Sequence, residues 1–147
     1  MLITKRDAAL RQLNVAAVLF LAGDYLSSLT LAGAAEEMLG KEAERAGLPT
    51  SVDNIIRTTL ETPSNGVPDA ARKKNARRAL NGPRNAAKHN GDPNEFVTVD
   101  RMQTLLMFMR ALSLVKELGI ERSIELERVL EAIRARPSTH VSDPAGG

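Results

Sequence analysis

Apolar residues recur every three or four positions through most of this chain, a spacing that predicts helices and leaves no credible strand. A first helix is expected from Thr4 to Ala22, with Leu10, Leu13, Ala17 and Phe20 or Leu21 on one face. Thr4 suits its N-cap and Asp7 the capping-box position. Gly23 stops it and Asp24 can cap a second helix, Tyr25 to Arg45, that carries Leu26, Leu29, Gly33 and Met38 or Leu39. The small run Ala32-Gly33-Ala34-Ala35 lets another helix come close. A short third helix fits Ser51 to Glu61, with Val52, Ile55, Ile56 and Leu60 inward. A loop at Pro63-Ser64-Asn65-Gly66 leads to a basic helix from Pro68 to about Leu80. Asn81-Gly82 is expected to end that helix, with Pro83 opening a new one. After a loop at Gly91–Asn94, an oily helix runs from about Thr98 to Leu118 on Val99, Met102, Leu105, Leu106, Met109, Leu112 and Val115. So wide an apolar face implies a central helix or a dimer interface. Glu121 to Arg136 forms the last helix, on Ile124, Leu126, Val129, Leu130 and Ile133.

These elements predict an all-α fold: a bundle of five to six helices built on a long antiparallel helix hairpin plus a long closing helix. Residues 1–136 read as one domain, and 137–147 as a disordered C-terminal tail. Aromatic content of 3%, without tryptophan, makes the core aliphatic and alanine-rich. The absence of cysteine excludes disulfides and thiolate chemistry, and two distant histidines argue against a metal site or a cofactor. The apolar run Val15–Gly23 stops at Asp24, short of the roughly 20 residues a membrane span needs. Nothing near the start resembles a signal peptide, so a cytoplasmic setting without membrane contact is expected.

Charge changes the picture more than composition does. A net charge of +2 would mean little if evenly spread, but Arg72, Lys73, Lys74, Arg77, Arg78, Arg84 and Lys88 crowd one segment. No acid interrupts them, whereas Glu36, Glu37, Glu42 and Glu44 make an earlier segment acidic. A localised cationic patch points to an anionic partner. Its end, Arg84-Asn85-Ala86-Ala87-Lys88-His89, sets a lone histidine beside cations, a combination suited to holding and breaking a phosphodiester.

The string Arg84, Asn85 and His89, downstream of a helical hairpin and ahead of a long closing helix, resembles the motif of the HEPN superfamily. There, an arginine and a polar residue precede a histidine four to six positions after the arginine. The stretch Thr30-Leu31-Ala32-Gly33-Ala34-Ala35-Glu36-Glu37 resembles the second helix of small bacterial proteins of this type. The likeness covers roughly Tyr25 to Leu118. It implies a metal-independent ribonuclease, an RNA-binding module or an inactive relative, often dimeric with the motif at the subunit seam. Carried over, Arg84 would hold the scissile phosphate, His89 would act as general acid or base, and Asn85 would orient one of the reacting groups. Arg72, Lys73, Lys74, Arg77, Arg78 and Lys88 would meet nucleic-acid backbone. The second histidine, His140, follows Arg134 at a comparable distance, but Ala135 lacks the polar group.

Helical geometry constrains this reading. Residues five apart lie about 140° round the axis, so Arg84 and His89 diverge, while Asn85 and His89 share a face. A homodimer, in which each subunit lends the residue the other lacks, would resolve this. With four aromatic residues in all, no platform for stacking bases is evident, so RNA contact would run through backbone phosphates. The competing reading is a non-catalytic helical dimerisation or interaction module whose basic patch meets an acidic protein or nucleic acid.

Overall fold

A computed structural model describes residues 1–88, 96 and 98–135. Among these the chain is all-α, with six helices and no strand: α1 (Lys5–Leu21), α2 (Tyr25–Arg45), α3 (Ser51–Glu61), α4 (Asp69–Lys88), α5 (Arg101–Glu117) and α6 (Ile124–Arg134). The expected tail, 137–147, lies outside the described residues.

Helices α1 and α2 form the antiparallel hairpin, α5 packs along α2, and α6 closes over α1 and α5. Leu13, Phe20, Leu29, Leu39, Phe108, Leu114, Leu126 and Val129 fill the core, and Ala9, Ala16, Ala17, Ala32, Ala35, Ala43 and Ala111 let the helix axes approach. Three of the four aromatics meet there: Phe20 stands 5.5 Å from Tyr25 and 5.7 Å from Phe108, ring centre to ring centre. The Ser28 hydroxyl donates to the Ala16 carbonyl at 2.7 Å and staples the hairpin. No helix among the described residues is long and apolar enough to cross a membrane.

The caps of α1 and α2 fall where the sequence places them. Thr4 accepts from the Asp7 backbone N–H at 3.0 Å, although Asp7 accepts from the Thr4 hydroxyl at 2.7 Å instead of completing a capping box. Asp24 caps α2, and donation from the Ser27 hydroxyl and backbone N–H holds its carboxyl below the usual carboxylate range. Complete capping boxes occur at Thr50–Asp53 and at Asp100–Gln103; the second starts α5 at Arg101, three residues later than expected.

Of the alternatives Phe20 and Leu21, α1 turns Phe20 inward. Other expectations need correction. On α3 only Ile56 is buried and Ile55 is exposed, and α6 begins at Ile124, capped by Ser123, not at Glu121. More consequentially, α4 does not stop at Asn81-Gly82: it runs through Pro83 to Lys88, so the motif begins inside a helix and not at a fresh start. Pro83 cannot donate to the Ala79 carbonyl, and glycine weakens a helix, yet the chain holds its course because contacts from other helices grip it on both sides of the proline. The Arg110 guanidinium of α5 donates to the Leu80 carbonyl at 2.8 Å and to Asn81 Oδ1 at 3.1 Å. One turn on, Arg84 lies across Gly33 of α2.

Candidate functional site

Along α4, the spacing of Lys73, Arg77, Asn81 and Arg84 puts them on one side of the helix, with Lys74 and Arg78 on the neighbouring side. The last three of the first row meet the acidic stretch of α2. Glu36, Glu37, Gly40 and Glu44 of α2 face Arg77, Asn81 and Arg84 across a cleft of about 230 Å³, to which α5 adds Arg110. The acidic and basic segments, far apart in sequence, therefore meet in space: part of the basic patch is answered by the chain's own carboxylates.

Arg84 is the centre of this meeting. A Cβ built on Gly33 would stand 2.5 Å from Arg84 Cδ and 2.6 Å from Cγ, so only glycine leaves room for that side chain. Arg84 is 13% exposed, with Nη1 3.8 Å from Glu36 and 3.6 Å from Glu37, and Nη2 3.5 Å from Asn85 Oδ1. Its Nε is sealed from solvent without a hydrogen-bond partner among the described residues. Glu37 also pairs with Lys41 at 3.2 Å, the i, i+4 pair expected of an exposed helix face.

Glu36 and Arg110 complete the network. Both side chains are 7% exposed, and Arg110 donates to Glu36 Oε1 through Nη2 at 2.8 Å and Nε at 3.2 Å. A buried carboxylate this well paired escapes the heavy cost of an isolated charge, although both donors converge on one oxygen and do not form a two-oxygen fork. The same guanidinium holds Leu80 and Asn81 of α4, so Arg110 joins three helices.

The remaining predicted residues divide. Arg72 is turned inward, 11% exposed, and donates to the carbonyls of Thr59, Leu60 (3.3 Å) and Thr62 (2.7 Å) at the end of α3, with Asp69 at 3.3 Å. In this arrangement Arg72, one of the residues expected to meet nucleic acid, caps a helix whose last carbonyls lack intrahelical partners. Lys73, Lys74, Arg77 and Arg78 are exposed, and no ion pair joins them to a described carboxylate. Asn85 is exposed beside Arg84; Lys88 is the last residue of α4. His89 lies outside the described residues. The structure thus brings Arg84 and Asn85 together, and holds Arg84 against α2.

No family model, curated protein or solved structure matches this chain. Among the described residues, no group of three or more histidine, aspartate or glutamate side chains is placed to hold a metal ion.

The sequence lets Glu36 and Glu37 approach the motif, whereas it does not single out Arg110, although Arg110 and Glu36 each carry a signal. Arg110 is the one charged residue between Arg101 and Lys116 in an otherwise oily helix. Glu36 falls beside Ala35 on the row of Leu29, Ala32, Leu39 and Ala43. A charge inside an apolar stripe implies a partner, and these two are each other's.

Proposed function

We propose that this protein binds RNA through backbone phosphates along α4, and that His89 makes it a metal-independent endoribonuclease of HEPN-like type. The observation that carries the binding half is the four-cation surface of Lys73, Lys74, Arg77 and Arg78, exposed over two turns and without a described carboxylate partner. Four such charges on adjacent faces of one helix suit a phosphate chain, whose affinity comes from displaced counterions. Cleavage rests on the likeness of Arg84, Asn85 and His89 to the family motif. In the arrangement seen, Arg84 is occupied by Glu36 and Glu37, so the first phosphate contacts belong to the four exposed cations.

The homodimer belongs to the same proposal. Met102, Leu106 and Met109 lie at i, i+4 and i+7 on the outward side of α5, each about half exposed. An apolar stripe of this kind, opposite the helix's core face, supports pairing with a second copy. A cytoplasmic location is part of this reading as well.

The test is incubation of structured RNA with the full chain in EDTA, beside His89→Ala and a fourfold Lys/Arg→Gln variant at positions 73, 74, 77 and 78. Binding is expected to weaken with salt, and the fourfold variant to lose up to about 3.6 units of the log–log salt slope, at ~0.7–0.9 per phosphate contact. His89→Ala is expected to bind as before and cut nothing. RNA binding that ignores both salt and the fourfold change overturns the proposal. The commitment of Arg72 and Arg84 to internal partners favours a second reading, the non-catalytic interaction module. Salt-sensitive binding without cleavage by the unaltered chain would establish that one.

A further inference from the structure

The way α4 is attached to the bundle differs from every other long helix. No described residue of α4 is buried, and α3 buries only Ile56, against eight residues in α2 and nine in α5. Few buried apolar contacts mean a low free energy of local opening. The α3–α4 pair is nonetheless a unit of its own, because Arg72 clamps the α3 carbonyls from within α4.

The hydrogen bonds and ion pairs that join that unit to α2 and α5 centre on three side chains. Ser51 donates to the Arg110 carbonyl at 3.4 Å, the Arg110 side chain holds Leu80 and Asn81, and Arg84 rests in the Gly33 notch beside Glu36 and Glu37. The two arginines are not equivalent. Arg110 and Glu36 both belong to the core hairpin and its closing helix, so their ion pair survives if α4 departs, and water can replace the α4 acceptors. Arg84 is the member that leaves. Its carboxylate distances of 3.6 and 3.8 Å exceed hydrogen-bond length, and its Nε has no hydrogen-bond partner among the described residues. A phosphate oxygen pair would serve that fork better than the closed arrangement does.

We propose that the α3–α4 pair is a hinged arm that opens from the bundle as one piece. Arg84 in the Gly33 notch is its latch, and a phosphate that takes this guanidinium from Glu36 and Glu37 releases it. The link between α2 and α3 offers the pivot: Gly47 sits at φ +69°, followed by Leu48 and Pro49. Opening returns to Arg84 the phosphate contact that the closed form denies it. The identity of the releasing anion rests on the RNA-binding proposal; the arm itself does not.

Hydrogen exchange on the full chain without RNA tests the arm. In the unaltered protein the amides of α3 and α4 are expected to exchange together, at least tenfold faster than those of α2 and α5. Gly33→Ala drives a methyl into Arg84 while improving the helix propensity of α2, so α4 exchange is expected to rise severalfold further with α2 protection unchanged or higher. Arg84→Met, which leaves the Glu36–Arg110 pair untouched, should act the same way. Inorganic phosphate, compared with chloride at equal ionic strength, should speed α4 exchange in the unaltered chain and not in Arg84→Met. If α3 and α4 exchange at the rate of α2 and α5 in all three proteins, the arm is overturned. If the arm exchanges separately but phosphate and chloride act alike, the phosphate latch is overturned. An arm that passes these tests in a chain that binds no RNA sinks the proposed function and leaves the arm standing.

Discussion

Arginine is the residue type that carries most of this protein's meaning, and four arginines do four different things. Arg110 is buried in an ion pair with Glu36, Arg84 is threaded over a glycine, Arg72 caps a neighbouring helix, and Arg77 stays exposed on the cleft rim. Sequence spacing sets Arg110 apart, as the one charge between Arg101 and Lys116 in an oily helix, but treats Arg72, Arg77 and Arg84 alike. Their fates differ because a guanidinium can reach carbonyls and carboxylates several ångströms from its own backbone. Arg72 is the most easily tested. Removing its fork leaves the last α3 carbonyls without their charged donor, a loss of about 1.5–3 kcal/mol for a hydrogen bond to a charged group. Arg72→Met is therefore expected to reduce hydrogen-exchange protection in α3 by at least tenfold, and Arg72→Lys to recover less than half of that because an ammonium cannot span three carbonyls. Unchanged exchange in Arg72→Met would show that the contacts hold nothing.

Among the helices, the caps of α1, α2 and α3 were readable from local chemistry, those of α5 and α6 fell later than expected, and the end of α4, set by tertiary contact, was not readable. Thr4, Asp24 and Thr50 cap where a short polar side chain precedes a periodic apolar run, so α1, α2 and α3 begin where local spacing puts them. In α4, Asn81-Gly82-Pro83 is as strong a stop signal as the chain contains, and it fails. The contacts that override it come from Arg110, 27 positions beyond Pro83, and from Gly33, which no local window can include. The proline should still exert its ordinary cost. Pro83→Ala restores a backbone donor in mid-helix, and about 1–3 kcal/mol of added stability is expected in urea unfolding, with helical ellipticity rising slightly. A proline that truly began a new helix would give neither change on replacement, so that result would contradict a continuous α4.

Taken together, the molecule is a four-helix core with a charged helical pair laid against it. The outward stripe of α5 is where a second copy is expected to sit. Leu106→Glu puts a charge at the middle of that stripe without touching the core, so sedimentation should report one chain in place of two at micromolar concentration, with helicity retained. If the unaltered protein already sediments as one chain, the dimer proposal fails, and with it the shared site. The all-α class, the hairpin and most helix starts were legible in the order of residues, because capping and 3.6-residue periodicity act over a few neighbours. So was the separation of acidic from basic segments. That Gly33 admits Arg84 and that Glu36 is paired with Arg110 were not legible. Each depends on groups dozens of residues apart, brought into contact when the apolar faces of α2 and α5 are buried against each other.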